Sequence, residues 1–106
     1  MTAEARLIYL WEQPTDVEAF VRHYREIHIP LARKLAGLRS YTITDNPEPL
    51  RGEPYFRVSE LVWDSMDELR AAFASPEGRA CAEDVAEQMK YATARAMILG
   101  AGEQQL

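Results

Sequence analysis

The sequence predicts an α+β fold: one four-stranded antiparallel sheet with its helices on a single face, in the order βαββαβ. Three observations carry this. Four segments of strand-like patterning, residues 6–12, 38–45, 55–63 and 91–99, are interrupted by helical stripes in two places only. The helical stretches open on cap signatures: two hydroxyl-x-x-Glu patterns and one Ser-Pro pair. The 106 residues, 47% hydrophobic and 27% charged, suit a single globular domain spanning 1–106, with 100–106 expected as a tail.

In the first strand Leu7, Tyr9 and Trp11 face one way and Ile8 and Leu10 the other, so both faces are apolar and both call for cover. Thr15-Asp16-Val17-Glu18 reads as a capping box opening the first helix. Val17, Val21, Tyr24, His28, Leu31 and Leu35 form its apolar stripe, widened by Phe20 and Ile27. Pro30 has no N–H to give, which predicts a kink or break near His28 and Ile29, and Gly37 suits the C-terminal cap. In the second strand Tyr41 and Ile43 share one face, Thr42 and Thr44 the other. The stretch from Asn46 through Gly52, with Pro47 and Pro49, is loop by its turn chemistry. The third strand is rich in β-branched and aromatic residues. Ser65-Met66-Asp67-Glu68 caps a short helix with Met66, Leu69 and Phe73 inward. Ser75-Pro76 restarts a helix whose inner stripe reads as Cys81, Ala82, Val85 and Met89.

This order is the split βαβ–βαβ arrangement of ferredoxin-like folds. Helices then cover one sheet face, and no chain remains for the other, which is also apolar on the first strand. A second copy packed face to face resolves this, so a homodimer is expected.

Composition narrows the function classes. Twelve Lys and Arg against 17 Asp and Glu give a net charge of −5, which argues against nucleic acid as a partner. No run approaches a membrane span, and the start, Met1-Thr2-Ala3-Glu4, lacks the basic and apolar regions of a signal peptide. The one cysteine, Cys81, forms no internal disulfide, so a reducing, cytoplasmic setting is expected. No CxxC supports a zinc site and no glycine-rich loop cradles a phosphate. His23 and His28, five residues apart, fall off one α-helical face and are read as no metal pair. No metal and no cofactor are therefore expected.

The run Phe20-Val21-Arg22-His23-Tyr24-Arg25-Glu26-Ile27-His28-Ile29-Pro30-Leu31-Ala32-Arg33-Lys34-Leu35, followed by Gly37-Leu38-Arg39-Ser40-Tyr41, resembles the first helix and second strand of the EthD-like family. Glu60-Leu61-Val62-Trp63-Asp64 and Phe73-Ala74-Ser75-Pro76-Glu77-Gly78 resemble its later blocks, so the likeness runs over residues 5–100. The resemblance implies a dimeric α+β barrel with a pocket between each sheet and its own helices. Similar barrels include lactone isomerases, polyketide cyclases, quinone-forming monooxygenases and haem-binding enzymes, although no residue here calls for haem. The family's His-x-Pro pattern maps onto His28 and Pro30, with Ile29 where glycine is common.

His28 is the leading candidate for chemistry, on an apolar stripe beside a broken helix. It fits two roles: a core histidine satisfying carbonyls freed at the kink, or a general acid/base with a near-neutral pKa. Tyr41 is the candidate partner that polarises a substrate oxygen. Tyr24, Trp63, Phe20 and Leu31 are candidate pocket walls, though each also reads as core. Glu60, on a strand face with Phe56, Val58 and Val62, and Arg95 in the fourth strand read as a buried or interface ion pair rather than catalytic groups. Cys81 reads as a buried, inert thiol.

The sequence thus predicts a small cofactor-independent enzyme acting by proton transfer (isomerisation, cyclisation, dehydration or cofactorless oxidation) on a small hydrophobic cyclic or aromatic compound. The alternative is a non-catalytic accessory protein that binds such a ligand in a degradation pathway.

Overall fold

The computed structural model describes residues 4–106, so the first three residues of the expected domain lie outside it. The chain forms β1 (Ala5–Trp11), α1 (Val17–His23), a π-helical turn (Tyr24–His28), α2 (Ile29–Ala32), β2 (Ser40–Asp45), β3 (Arg57–Trp63), α3 (Met66–Ala74), α4 (Pro76–Gln88) and β4 (Ala94–Leu99). The sheet order is β2-β3-β1-β4 with every pair antiparallel, the ferredoxin-like topology. Three strands begin two or three residues later than the alternation suggests, because Leu38, Tyr55 and Tyr91 lie in the incoming loops.

Alternation sets which face is covered. Ala5, Leu7 and Trp11 of β1 and Arg57, Ser59, Leu61 and Trp63 of β3 point into the helical layer and are buried. Two clusters fill that layer. One gathers Leu35, Leu61, Trp63, Leu69, Ala72 and Cys81. The other is aromatic, with Phe20 edge-on to Trp11 at 5.4 Å and Tyr24 edge-on to Trp11 at 6.0 Å. On the opposite face the register aligns Thr42, Glu60, Ile8 and Met97 in one row. Leu10, Val58, Val62 and Leu99 stand beside that row, and no helix among the described residues covers them.

The caps decide where helices start. Ser65 Oγ accepts from the Glu68 N–H, and Ser75 Oγ accepts from the Gly78 N–H with Pro76 at the first helical position. At α1 the cap is Asp16, not Thr15: the Asp16 carboxylate accepts from the Ala19 N–H at 3.1 Å, while the Thr15 hydroxyl donates to the Tyr91 carbonyl. Its stripe is also narrower than expected, since Val17 and Ile27 are about half exposed (49% and 46%). Gly37 ends the region at φ +75, a conformation that favours glycine. Gly78 permits the tight α3–α4 elbow, because a Cβ there would stand 2.1 Å from the Ala72 carbonyl oxygen.

The expected break at Pro30 takes a specific form. In a regular α-helix the Pro30 ring would press on the Glu26 carbonyl, and that carbonyl would lose its donor. The chain widens first: the Ile29 N–H reaches back five residues to the Tyr24 carbonyl, and α2 resumes beyond. Among the described residues no helix is long and apolar enough to cross a membrane.

Candidate active site

The widened turn changes which side chains share a face. Five residues span 140° beyond one turn of an α-helix but about one turn of a π-helix. His23 and His28 therefore converge, against the expectation from α-helical spacing. Both meet Asp84 of α4: His23 Nε2 at 2.8 Å from Oδ1 and His28 Nδ1 at 2.9 Å from Oδ2. An ionised carboxylate only accepts, so each ring nitrogen donates. Asp84 thus fixes His28 as the Nδ1–H tautomer and leaves the Nε2 lone pair free, with no hydrogen-bond partner among the described residues.

Burial sets the charge state. His28 is 4% exposed. Its pKa is held below the ordinary 6.5, because desolvation outweighs the stabilising Asp84 carboxylate. A neutral imidazole hydrogen-bonded to a carboxylate is the arrangement of a histidine base, the carboxylate being ready to stabilise the imidazolium that forms.

The sequence assigned no role to Asp84. On α4 the buried positions are Gly78, Cys81, Asp84 and Gln88, while Ala82 and Met89, read as inner residues, are exposed. The buried series runs three and seven residues on from Cys81, and two of its members are polar. A search for apolar residues alone slides off it. That polar pair, Asp84 and Gln88, is the signal that was available.

A chain of hydroxyls lies next to the imidazole. The Tyr24 ring is 5.0 Å from the His28 ring. Tyr41 O–H donates to the Tyr24 hydroxyl at 3.1 Å, and Tyr24 in turn is hydrogen-bonded to Ser59. Burial raises the Tyr24 and Tyr41 pKa values, so both are neutral phenols. Below them the Arg57 guanidinium lies 4.6 Å from the Tyr24 ring centroid and pairs through Nε and Nη2 with Asp45.

The other candidates are distributed as follows. Phe20 and Trp63 are fully buried; Phe20 packs on Trp11 and Phe56, and Trp63 Nε1 donates to the Ala36 carbonyl. Leu31 is half-buried on α2. Cys81 is buried, and its thiol is pushed up to about 11 by burial and then by Asp84, which keeps it protonated. Glu60 pairs with Arg6 at 2.5 Å, not with Arg95, because Arg6 is a diagonal neighbour on the adjacent strand β1 while Arg95 lies on β4, with β1 in between. Phe56 precedes β3 and packs in the aromatic cluster, so it does not share the Glu60 face.

A cavity of about 470 Å³ opens between the sheet and the helical layer, lined by Leu7, Tyr9, Leu69, Arg70, Phe73, Ala74, Ala82 and Ile98. The Tyr9 phenol on this wall is pushed up to about 12, chiefly by burial. His28 and Tyr41 are not on this wall.

The family model for the EthD domain matches residues 12–89. An ethyl tert-butyl ether D (EthD) family protein from Bacillus halodurans is 34% identical, with a TM-score of 0.78 over 96% of this chain and 99% of its own. A variant of SnoaB from Streptomyces nogalater, described as a cofactor-independent oxygenase, is 17% identical with a TM-score of 0.66, over 97% of this chain and 96% of its own. A dimeric protein of ferredoxin-like fold from Bacteroides fragilis is 19% identical with a TM-score of 0.61, over 91% and 94%. At these lower identities the likeness shows the fold alone.

Proposed function

The chain belongs to the EthD family, and from that premise we propose that it is a small cofactor-independent enzyme acting by proton transfer on a hydrophobic cyclic or aromatic compound. The observation that carries this reading is the Asp84–His28 pair, which holds a buried, neutral imidazole with Nε2 free beside the Tyr24 and Tyr41 phenols. His28 Nε2 takes a proton from an acidic C–H of the substrate. Asp84 stabilises the imidazolium, and the same proton is returned at another carbon or oxygen. Tyr41 polarises the substrate oxygen by exchanging Tyr24 for it as hydrogen-bond acceptor, since the phenol is neutral and keeps its proton to donate. Isomerisation, cyclisation and dehydration share this step, and so does the opening step of a cofactorless oxidation. The cofactor-independent oxygenase of the same fold is in keeping with such chemistry.

The working unit in this reading is a homodimer, with a second copy covering the open sheet face. Ile8, Leu10, Val58, Val62, Met97 and Leu99 on that face support it, as does the dimeric neighbour of the same fold.

The second reading, ligand binding without turnover, is favoured by one observation: the cavity wall carries Tyr9 and not His28. Deuterium exchange separates the two. With 2-tetralone in heavy water, the protein is expected to speed loss of the α-proton signal, and His28→Gln to lower that rate on the order of 100-fold. Full exchange activity in a folded, dimeric His28→Gln would remove the base role and leave the binding reading.

A further inference from the structure

The cavity under α3 carries information about the charge of its occupant. Its wall is apolar apart from two groups, the Tyr9 phenol and the Arg70 guanidinium. Leu7, Leu69, Phe73, Ala74, Ala82 and Ile98 supply the rest, with Ala74 and Ala82 leaving the room and Ile98, 52% exposed, forming the rim. Its sheet wall is formed by Leu7 and Tyr9 of β1 and Ile98 of the edge strand β4. A volume of about 470 Å³ fits a one- to three-ring molecule.

Neither polar group is used by the fold. Among the described residues the Tyr9 hydroxyl has no hydrogen-bond partner, and Arg70 has no carboxylate partner although Asp67 and Glu68 lie on the same helix. An apolar body alone would leave the phenol unsatisfied on binding, which disfavours a plain hydrocarbon. A guanidinium fork and a phenol O–H both donate, so together they call for an acceptor, and the guanidinium calls for a negative one.

We propose that the sheet–helix cavity binds a small hydrophobic anion, a carboxylate or phenolate of one to three rings, with Arg70 and Tyr9 reading its charged end. This rests on the reading of the cavity as the ligand pocket and adds the ligand's charge to it. The apolar body lies against Leu7, Leu69 and Phe73. The negative oxygen sits toward the mouth, where Arg70 stays partly hydrated and the cost of stripping its water is small.

Calorimetric titration of the full-length protein with 1-naphthoate and with 1-naphthamide, its neutral counterpart of nearly the same shape, tests this. The anion is expected to bind about tenfold tighter than the amide. Arg70→Gln should remove that preference, weakening the anion about tenfold and leaving the amide unchanged, and added salt should weaken the anion alone. Tyr9→Phe should weaken both, since a phenol O–H serves either acceptor. Equal binding of the two probes, or an unaltered anion affinity in Arg70→Gln, overturns the anion assignment while leaving the pocket standing. Binding of neither probe, or binding of both undiminished when Ala74→Leu fills the cavity, overturns the pocket itself and the anion assignment with it.

Discussion

At the residue scale the central object is one carboxylate holding two imidazoles. Asp84 is 7% exposed, and a buried carboxylate without donors is costly, so His23 and His28 are as much its solvation as it is their anchor. The consequence for pH dependence has a definite sign. His28 has a folded pKa below the ordinary 6.5, whereas the unfolded chain returns it to that value. As pH falls through about 6.5 the unfolded state takes up the proton first, so stability drops until the pH reaches the folded value and is level below it. The melting temperature of the native protein should therefore fall between about pH 7 and pH 5 more steeply than that of His28→Gln. Parallel curves for the two proteins would mean that His28 titrates alike in both states. His28 was legible in the sequence as a lone histidine on an apolar stripe. Asp84 was not, because its partners are 56 and 61 residues away along the chain.

At the scale of elements, local chemistry decides the ends and proline decides the middle. The two serine caps could be read from sequence because their bonds close within three residues. The first cap was displaced by one, since Thr15 and Asp16 both suit the position and only the loop's path gives Thr15 the Tyr91 carbonyl instead. Asp16→Ala should accordingly cost about 1 kcal/mol in urea unfolding, and Thr15→Ala less than about half of that. The reverse ranking would restore the hydroxyl as the cap. Pro30 announced a disruption but not its kind. Whether a helix breaks, kinks or widens depends on what the flanking turns can bury, and here widening is what delivers His23 and His28 to Asp84 together.

At the scale of the whole molecule, the same alternation that builds the core leaves a second apolar face with no helix among the described residues against it. Met97 and Leu99 are 44% and 42% exposed, and Ile8, Leu10, Val58 and Val62 lie beside them. The Arg6–Glu60 pair sits in this face and would be drawn into an interface rather than buried in the core. Sedimentation at micromolar concentration should give a species of twice the 12.1 kDa chain. Ile8→Lys should shift it to the single chain with the fold kept, because a charge on the open face costs little in a monomer. A native protein that sediments as the single chain would refute the dimer.

By itself the sequence determined the class of fold, the parity of the first two strands and most of the caps, for these rest on periodicity and on bonds between residues a few positions apart. Only the tertiary structure decided the site. The carboxylate that sets the histidine tautomer, the Tyr41–Tyr24–Ser59 chain and the cavity with Arg70 and Tyr9 at its wall each join elements distant in the chain, and the π turn, local in itself, matters because it brings His23 and His28 to that carboxylate. A side chain's neighbours across the layer are fixed by how helices and sheet dock, and docking is a property of the whole packed core that no local pattern encodes.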